Sequence, residues 1–339
     1  MERQRRQSLF AGTVGNLVEW FDWSVYGFFV PFFASAFFPQ GDAAARTLSA
    51  LAVFAVGFFF RPLGGAILGS YADRHGRRAG MTLTILLMAG ASAMIAVLPT
   101  YDQVGILAPV LLVVARCVQG FSAGGEFGTS AAFLVENAAP GHRAWAGSWQ
   151  QVSVGAGTLL ASAVASIMFT VFPPEFVGTW GWRIAFGLGA VLGLIGLWLR
   201  IAVPDTAAFT QARDQGRLER APLRSVLREH PRAVLLVIAM ICAGTALAQF
   251  WMVALPTILQ FKTGIELRDA QVAAMVGLAL FTVLQPVAGT LSDRFGRRPV
   301  LLFFALGSAV SFVPLLATVT TTLSSALVAA SVSCVLMAG

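Results

Sequence analysis

Charge is what this 339-residue sequence has least of: Asp, Glu, Lys and Arg together make up 12% of it, about half the ~25% typical of a soluble domain. With 57% hydrophobic residues and 27 phenylalanines, the chain has too little polar surface to cover a water-soluble globule. Histidine and cysteine are scarce too. His75, His142 and His230 fall between apolar runs, while Cys117, Cys242 and Cys334 lie singly inside them. Neither set has pairing or ligand spacing, so no disulfide framework, metal site or cofactor is expected, and the cysteines read as small packing residues. Intramembrane catalysis would need paired acids or His and Cys ligands at membrane depth, which argues against an enzyme. The formal net charge is +7, but the basic residues form short clusters between apolar runs rather than one patch, which argues against nucleic-acid binding. A cleavable leader is not expected either. After the basic Met1–Gln7 segment the apolar stretch is interrupted by Asn16, Glu19 and Asp22, unlike a short uncharged signal core.

What recurs instead is the apolar run of about 20 residues, the length a helix needs to cross the hydrocarbon. The pattern predicts helix 1 over Leu9–Phe38, helix 2 over Thr47–Tyr71, helix 3 over Ala79–Leu98, helix 4 over Val104–Val135, helix 5 over Ala144–Phe172 and helix 6 over Trp180–Val203. Helix 7 follows over Ala233–Phe261, helix 8 over Ala270–Leu291, helix 9 over Val300–Thr318, and a tenth run starts near Leu323. The one long polar segment is the Arg-rich stretch 204–231. Alternate loops collect arginines very unequally. One side receives Arg3, Arg5, Arg6, Arg74, Arg77, Arg78, Arg143, the cluster from Arg200 to Arg232, Arg294, Arg297 and Arg298. The other receives Arg46, Arg183, Lys262 and Arg268. The positive-inside rule then places the N-terminus and the central stretch in the cytoplasm.

An internal repeat organises the chain. Gly69-Ser-Tyr-Ala-Asp73-Arg74-His-Gly76-Arg77-Arg78 recurs as Gly289-Thr-Leu-Ser-Asp293-Arg294-Phe-Gly296-Arg297-Arg298, six helices later and on the same side. The expected fold is therefore an all-α membrane protein of two six-helix bundles related by parallel pseudo-symmetry. Residues 1–203 would form the first bundle, 204–231 a central loop, and 232–339 a second bundle that the repeat offset makes incomplete. Asp73 at a helix C-terminus needs a cationic or helix N-terminal partner. Arg77 is the nearest cation, and Glu136 would extend the network into a gating latch. Arg78, Asp293, Arg297 and Arg298 join that gating set by correspondence. Pro204-Asp205-Thr206 reads as a helix end rather than a site.

Five charged residues lie deep within predicted spans: Glu19 and Asp22 on helix 1, Arg61 on helix 2, Arg116 and Glu126 on helix 4. Each costs about 2.5–3.5 kcal/mol at the bilayer centre, so they are expected to face the bundle interior. Asn16, Glu19, Trp23 and Tyr26 share one helical face, as do Arg116, Gln119 and Glu126. An acid on helix 1 opposite the helix 4 arginine would make a proton switch: protonation frees the arginine for a carboxylate. Glu19, Asp22 and Glu126 are the proton-site candidates. Arg61 and Arg116 are the candidate carboxylate partners, with Asn16, Tyr26, Gln119 and Gln249 as further substrate-facing residues. Trp20, Trp23, Phe250 and Trp251 read more readily as packing or lipid-facing than as cavity lining.

The paired Asp-Arg-x-Gly-Arg-Arg turn resembles the signature of the major facilitator superfamily. Gly15-Asn16-Leu-Val-Glu19-Trp20-Phe-Asp22, Arg61-Pro62-Leu-Gly64-Gly65 and Arg116-x-x-Gln119-Gly120-x-x-x-Gly124-Gly125-Glu126 resemble its metabolite–proton symporter family. That resemblance implies a monomeric bacterial inner-membrane symporter, moving a small carboxylate with protons by alternating access. The stretches 15–39, 124–130 and 180–200 are most similar to members that carry 2-oxoglutarate. Proline, betaine, shikimate or citrate remain alternatives. By position, Asp22 and Arg116 match the acid and arginine that related sugar–proton symporters use for coupling. Asp73, Arg77 and Glu136 match the superfamily's charge network. Ala144 stands where Gly is usual.

Overall fold

Why these segments are helical follows from their apolar content and end signals, and a computed structural model describes residues 2–39, 42–216, 222–249, 264, 267–318, 320 and 322–337. Ten helices of 15 residues or more are present among them. These are α1 Glu2–Phe37, α2 Ala43–His75, α3 Arg77–Val97, α4 Leu107–Glu136, α5 Arg143–Val171, α6 Trp182–Ile201, α7 Pro231–Gln249, α8 Leu267–Phe295, α9 Arg297–Thr318 and α10 Leu323–Met337. Six helices among the described residues are long and apolar enough to cross a membrane. At 1.5 Å per residue, α1 with its 36 residues reaches about 54 Å, well past a ~30 Å hydrocarbon core.

Several boundaries differ from the sequence expectation for local reasons. Helix 2 begins earlier because Asp42 caps it, its Oδ1 accepting from the Ala45 amide at 2.8 Å. Its end runs on through the turn predicted as a loop. The chain stays helical to His75 and restarts at Arg77, with Gly76 at φ +106° as the one-residue break. An L side chain at that φ is strained, and it would also strike the Asp205 carboxylate. Before α4, residues Tyr101–Val104 form a separate turn capped by Thr100. A five-residue π-turn, Val177–Gly181, precedes α6. The expected extension of helix 7 over 250–261 lies outside the described residues.

The chain divides into two compact units. One comprises residues 1–137 and 157–220; the other comprises 138–156 and 221–339. The break falls within α5, whose first half groups with the later helices. In the first unit α2 packs on α4, α3 on α6 and α4, and α1 on α6, α4 and α2. Glycines permit the α2–α4 approach: a Cβ at Gly120 would overlap the Gly57 carbonyl, and one at Gly124 the Arg61 carbonyl. Between α1, α4 and α6 lies an aromatic core of Phe21, Tyr26, Phe29, Phe33, Phe37, Trp182 and Phe186, all buried. Large apolar side chains point outward as well. Phe59 is 81% exposed and Trp198 71% exposed, as expected of a surface solvated by lipid. In the second unit α8 and α9 pack on α10. The polar stretch 204–231 is not a plain loop: it holds two short helices, Ala207–Asp214 and Pro222–Glu229.

Candidate functional site

Four of the five charged residues predicted to face the interior of the first bundle are buried. Asn16, Glu19, Asp22 and Tyr26 on α1, with Arg116, Gln119 and Glu126 on α4, are all buried. Arg61 on α2 keeps 26% of its side chain exposed.

Asp22 and Arg116 form no direct ion pair. Two neutral side chains stand between them. Arg116 Nη1 donates to Gln119 Oε1 at 2.6 Å, Gln119 Nε2 donates to Ser92 Oγ at 3.0 Å, and Ser92 Oγ donates to Asp22 Oδ2. All three bonds run the same way, from cation through amide and hydroxyl to anion, so each polarises the next. Asp22 Oδ1 and Arg116 Nε and Nη2 are buried without a hydrogen bond. A buried charge with unfilled bonding capacity is costly unless something else stabilises it. For Arg116 that is an aromatic box. Its guanidinium carbon lies 4.2 Å from the Trp23 ring centroid, 4.4 Å from Tyr26 and 4.9 Å from Phe54. Such contacts contribute up to about 2 kcal/mol each when desolvated. Tyr26 is fixed in turn by its hydroxyl, which donates to the Ala50 carbonyl at 2.8 Å.

Arg61 and Glu19 pair directly, Nη2 to Oε1 at 3.1 Å. The Arg61 guanidinium carbon lies 4.4 Å from the Trp23 centroid. One indole is thus shared by two guanidinium groups. Trp23, expected to be a packing residue, is 3% exposed and ties the two arginines into a single site.

Glu126 is not part of that group. It binds Arg200 on α6, accepting from Nη1 at 3.0 Å through Oε2 and from Nη2 through Oε1, and it accepts from Thr84 Oγ1 at 2.5 Å. Arg200 also donates to the Met81 carbonyl and, at 3.2 Å, to the Ala11 carbonyl. The side chain is fully buried, although the sequence grouped it with the arginines of the central stretch. It staples α1, α3, α4 and α6 together.

At the ends of α2 and α4 the repeated turn forms a second polar cluster. Arg77 pairs with Asp73, and its Nε and Nη2 each donate to Glu136 Oε1 at 3.2 Å. Glu136 Oε2 accepts from Thr206 Oγ1 at 2.6 Å, the Arg78 amide donates to Asp205 Oδ1 at 3.0 Å, and Arg78 Nη2 donates to the Ile201 carbonyl at 2.6 Å. Asp205 and Thr206 therefore belong to this cluster, contrary to their reading as a mere helix end. A recess of about 230 Å³, lined by Asp73, Arg77, Glu136, Ala208, Phe209 and Ala212, opens beside it. In the second unit, the matching Asp293 accepts from the Ala144 and Trp145 amides at 2.9 Å each, at the N-terminus of α5. It is a carboxylate on a helix dipole, the other partner type its position allowed. Arg297 and Arg298 are exposed and bind no described residue. The side chain of Gln249, with Phe250 and Trp251, lies outside the described residues. Among the described residues no cluster of His, Cys, Asp and Glu is set to hold a metal.

A bundle of long helices with an apolar exterior and a charged, hydrogen-bonded interior defines a multi-pass membrane protein whose chemistry faces inward. The profile of the Major Facilitator Superfamily matches residues 12–339, and the chain belongs to that superfamily, a family of transporters rather than enzymes. It is 37% identical over 314 residues to the alpha-ketoglutarate permease of Escherichia coli K12, covering 93% of this chain and 72% of the permease. It is 35% identical to the proline/betaine transporter of the same organism, covering 91% of this chain and 63% of that protein. Among solved structures, the proton:xylose symporter XylE bound to 6-bromo-6-deoxy-D-glucose matches with a TM-score of 0.77 at 20% identity. That match covers 99% of this chain and 80% of XylE, a likeness of fold.

Proposed function

We propose that this protein is a bacterial inner-membrane symporter that moves a small carboxylate, with a dicarboxylate such as 2-oxoglutarate as lead substrate, together with protons by alternating access. The observation that carries the proposal is the one-way relay Arg116–Gln119–Ser92–Asp22. With Asp22 ionised, the relay ends on a negative charge and holds Arg116 oriented toward it. Protonating Asp22 removes that terminus, and Ser92 and Gln119 no longer share a common polarity. Arg116, with Nε and Nη2 already unfilled, then offers its fork to an anionic substrate. Arg61 supplies a second cation on the same indole, which suits a substrate with two carboxylates, and Glu19 takes the parallel role opposite Arg61. Asn16, Tyr26 and Gln119 border this site, and Gln249 is proposed as a further substrate-facing residue. Glu126 is the third proton-site candidate. Its bonds to Arg200 and Thr84 support a structural role instead.

The Asp73–Arg77–Glu136 cluster with Arg78, and Asp293 at the start of α5, are proposed as gating latches, with Arg297 and Arg298 beside the latter. The arginine-rich ends face the cytoplasm in this reading, and the working unit is a monomer. Reconstituted vesicles test it. Labelled 2-oxoglutarate should accumulate under an imposed inward proton gradient, and collapse of the gradient should abolish accumulation. Gradient-independent accumulation would contradict the coupling.

A second reading has one specific support. The Trp23–Tyr26–Phe54 box that holds a guanidinium would also hold a quaternary ammonium, and the proline/betaine transporter is among the relatives. Competition of glycine betaine against 2-oxoglutarate uptake separates the two.

A further inference from the structure

The helix Pro222–Glu229 stands in the polar stretch between the two halves, separated from α7 by His230 alone. At 100° per residue, Val226, Leu223 and Leu227 fall within a single arc of about 100°. All three are exposed, at 46%, 45% and 51%. Arg224 and Arg228, both exposed, follow next around the helix, about 60° and 100° past Leu227 on its polar side. Ser225 and Glu229 occupy the remaining side, where Ser225 Oγ donates to Glu229 Oε1 at 3.0 Å. Just beyond, α7 opens with Arg232 and then presents Leu235, Leu236 and Val237 at 66%, 62% and 53% exposure. Those consecutive outward-facing side chains need lipid around them.

We propose that residues 222–229 lie flat in the membrane interface, with Leu223, Val226 and Leu227 in the acyl boundary and Arg224 and Arg228 on anionic phospholipid phosphates. Three features select lipid as the occupant. The helix is one residue from α7, an apolar helix whose Leu235, Leu236 and Val237 are exposed, so its apolar arc adjoins that apolar surface. Its arginines stand on the polar side, Arg224 nearer the arc, where long side chains reach the headgroups. The bordering charge is positive, complementary to an anionic leaflet, and Arg232 extends it. The consequence is an anchor on the segment joining the two halves, whose seating depends on headgroup charge.

The test uses the full chain with Cys117, Cys242 and Cys334 replaced by Ser. A Val226→Cys variant carries an environment-sensitive fluorophore, and Ser225→Cys serves as the opposite-face control. Each is reconstituted in vesicles of phosphatidylglycerol with phosphatidylcholine, and in phosphatidylcholine alone. In the anionic vesicles a spin-labelled acyl chain should quench position 226 several-fold more than aqueous iodide, with the reverse at position 225. Arg224→Gln with Arg228→Gln should erase the difference between the two lipid compositions. Equal iodide quenching at 226 and 225 overturns the proposal. Protection of 226 from both quenchers overturns it in favour of a protein contact. Lipid quenching that ignores both headgroup charge and the arginine substitutions overturns the anionic specificity. Circular dichroism and elution profile of each variant establish that it is folded before the comparison is made.

Discussion

Arg200 and Glu126 allow a worked test of how this bundle holds its charges. In the folded chain the arginine is wholly enclosed, with its guanidinium against Gly15 and four acceptors around it: both Glu126 oxygens and the carbonyls of Ala11 and Met81. Arg200→Met keeps the side-chain stem but leaves a carboxylate with no cation beside it, a loss of about 3–5 kcal/mol for breaking one side of a buried pair. The double variant Arg200→Met with Glu126→Met removes both charges. The Ala11 and Met81 carbonyls lie within α1 and α3 and keep helical partners. Thr84 keeps the Met81 carbonyl as an acceptor at 2.9 Å. The double variant should therefore recover to within about 1 kcal/mol of the parent. Thermal unfolding in detergent, followed by tryptophan fluorescence, reads the order: parent and double variant close, single variant well below. Proton-driven uptake by the double variant should survive. Equal destabilisation by single and double variants would refute charge compensation, and loss of coupling in a stable double variant would return Glu126 to the proton pathway.

Three further outcomes are expected. Ser92→Ala cuts the relay between Gln119 and Asp22 and should lower proton-driven uptake roughly tenfold, the equivalent of ~1.4 kcal/mol, while leaving counterflow exchange of preloaded substrate largely intact. Loss of both activities together would point to a packing defect instead. Gly120→Val would drive a side chain into the Gly57 carbonyl on α2 and should abolish monodisperse elution in size-exclusion chromatography; a well-behaved protein would contradict the α2–α4 contact. Asp293→Asn keeps one acceptor oxygen for the Ala144 and Trp145 amides, sets an NH2 against the other amide, and removes the charge at the N-terminus of α5. The lost hydrogen bond costs about 1–3 kcal/mol at any salt, and the lost charge a further ~0.3–1 kcal/mol at low ionic strength that shrinks in high salt, as read by melting midpoints across a salt series.

The sequence by itself determined the class of the molecule and its helices, because membrane insertion depends on the length and polarity of contiguous runs, which are local quantities. The same holds for the duplicated turn: its glycine and charges stand side by side in the chain, and Asp73, Arg77 and Glu136 meet as their positions implied. Pairing is not local, and there the reading went astray. Arg200 sits at the edge of an arginine-rich segment, so composition counted it with those arginines; only the packing of α6 beside α4 brings it to Glu126. Ser92 lies in an alanine- and glycine-rich helix, where a serine reads as one more small packing residue until α3 carries it between Gln119 and Asp22. Asp205 and Thr206 follow a proline and read as a helix end, yet folding returns them to the Arg78 amide and Glu136. The tertiary structure decided which charge answers which, because a side chain's partner is set by the neighbouring helix and its register, and neither is written in the run of residues around it.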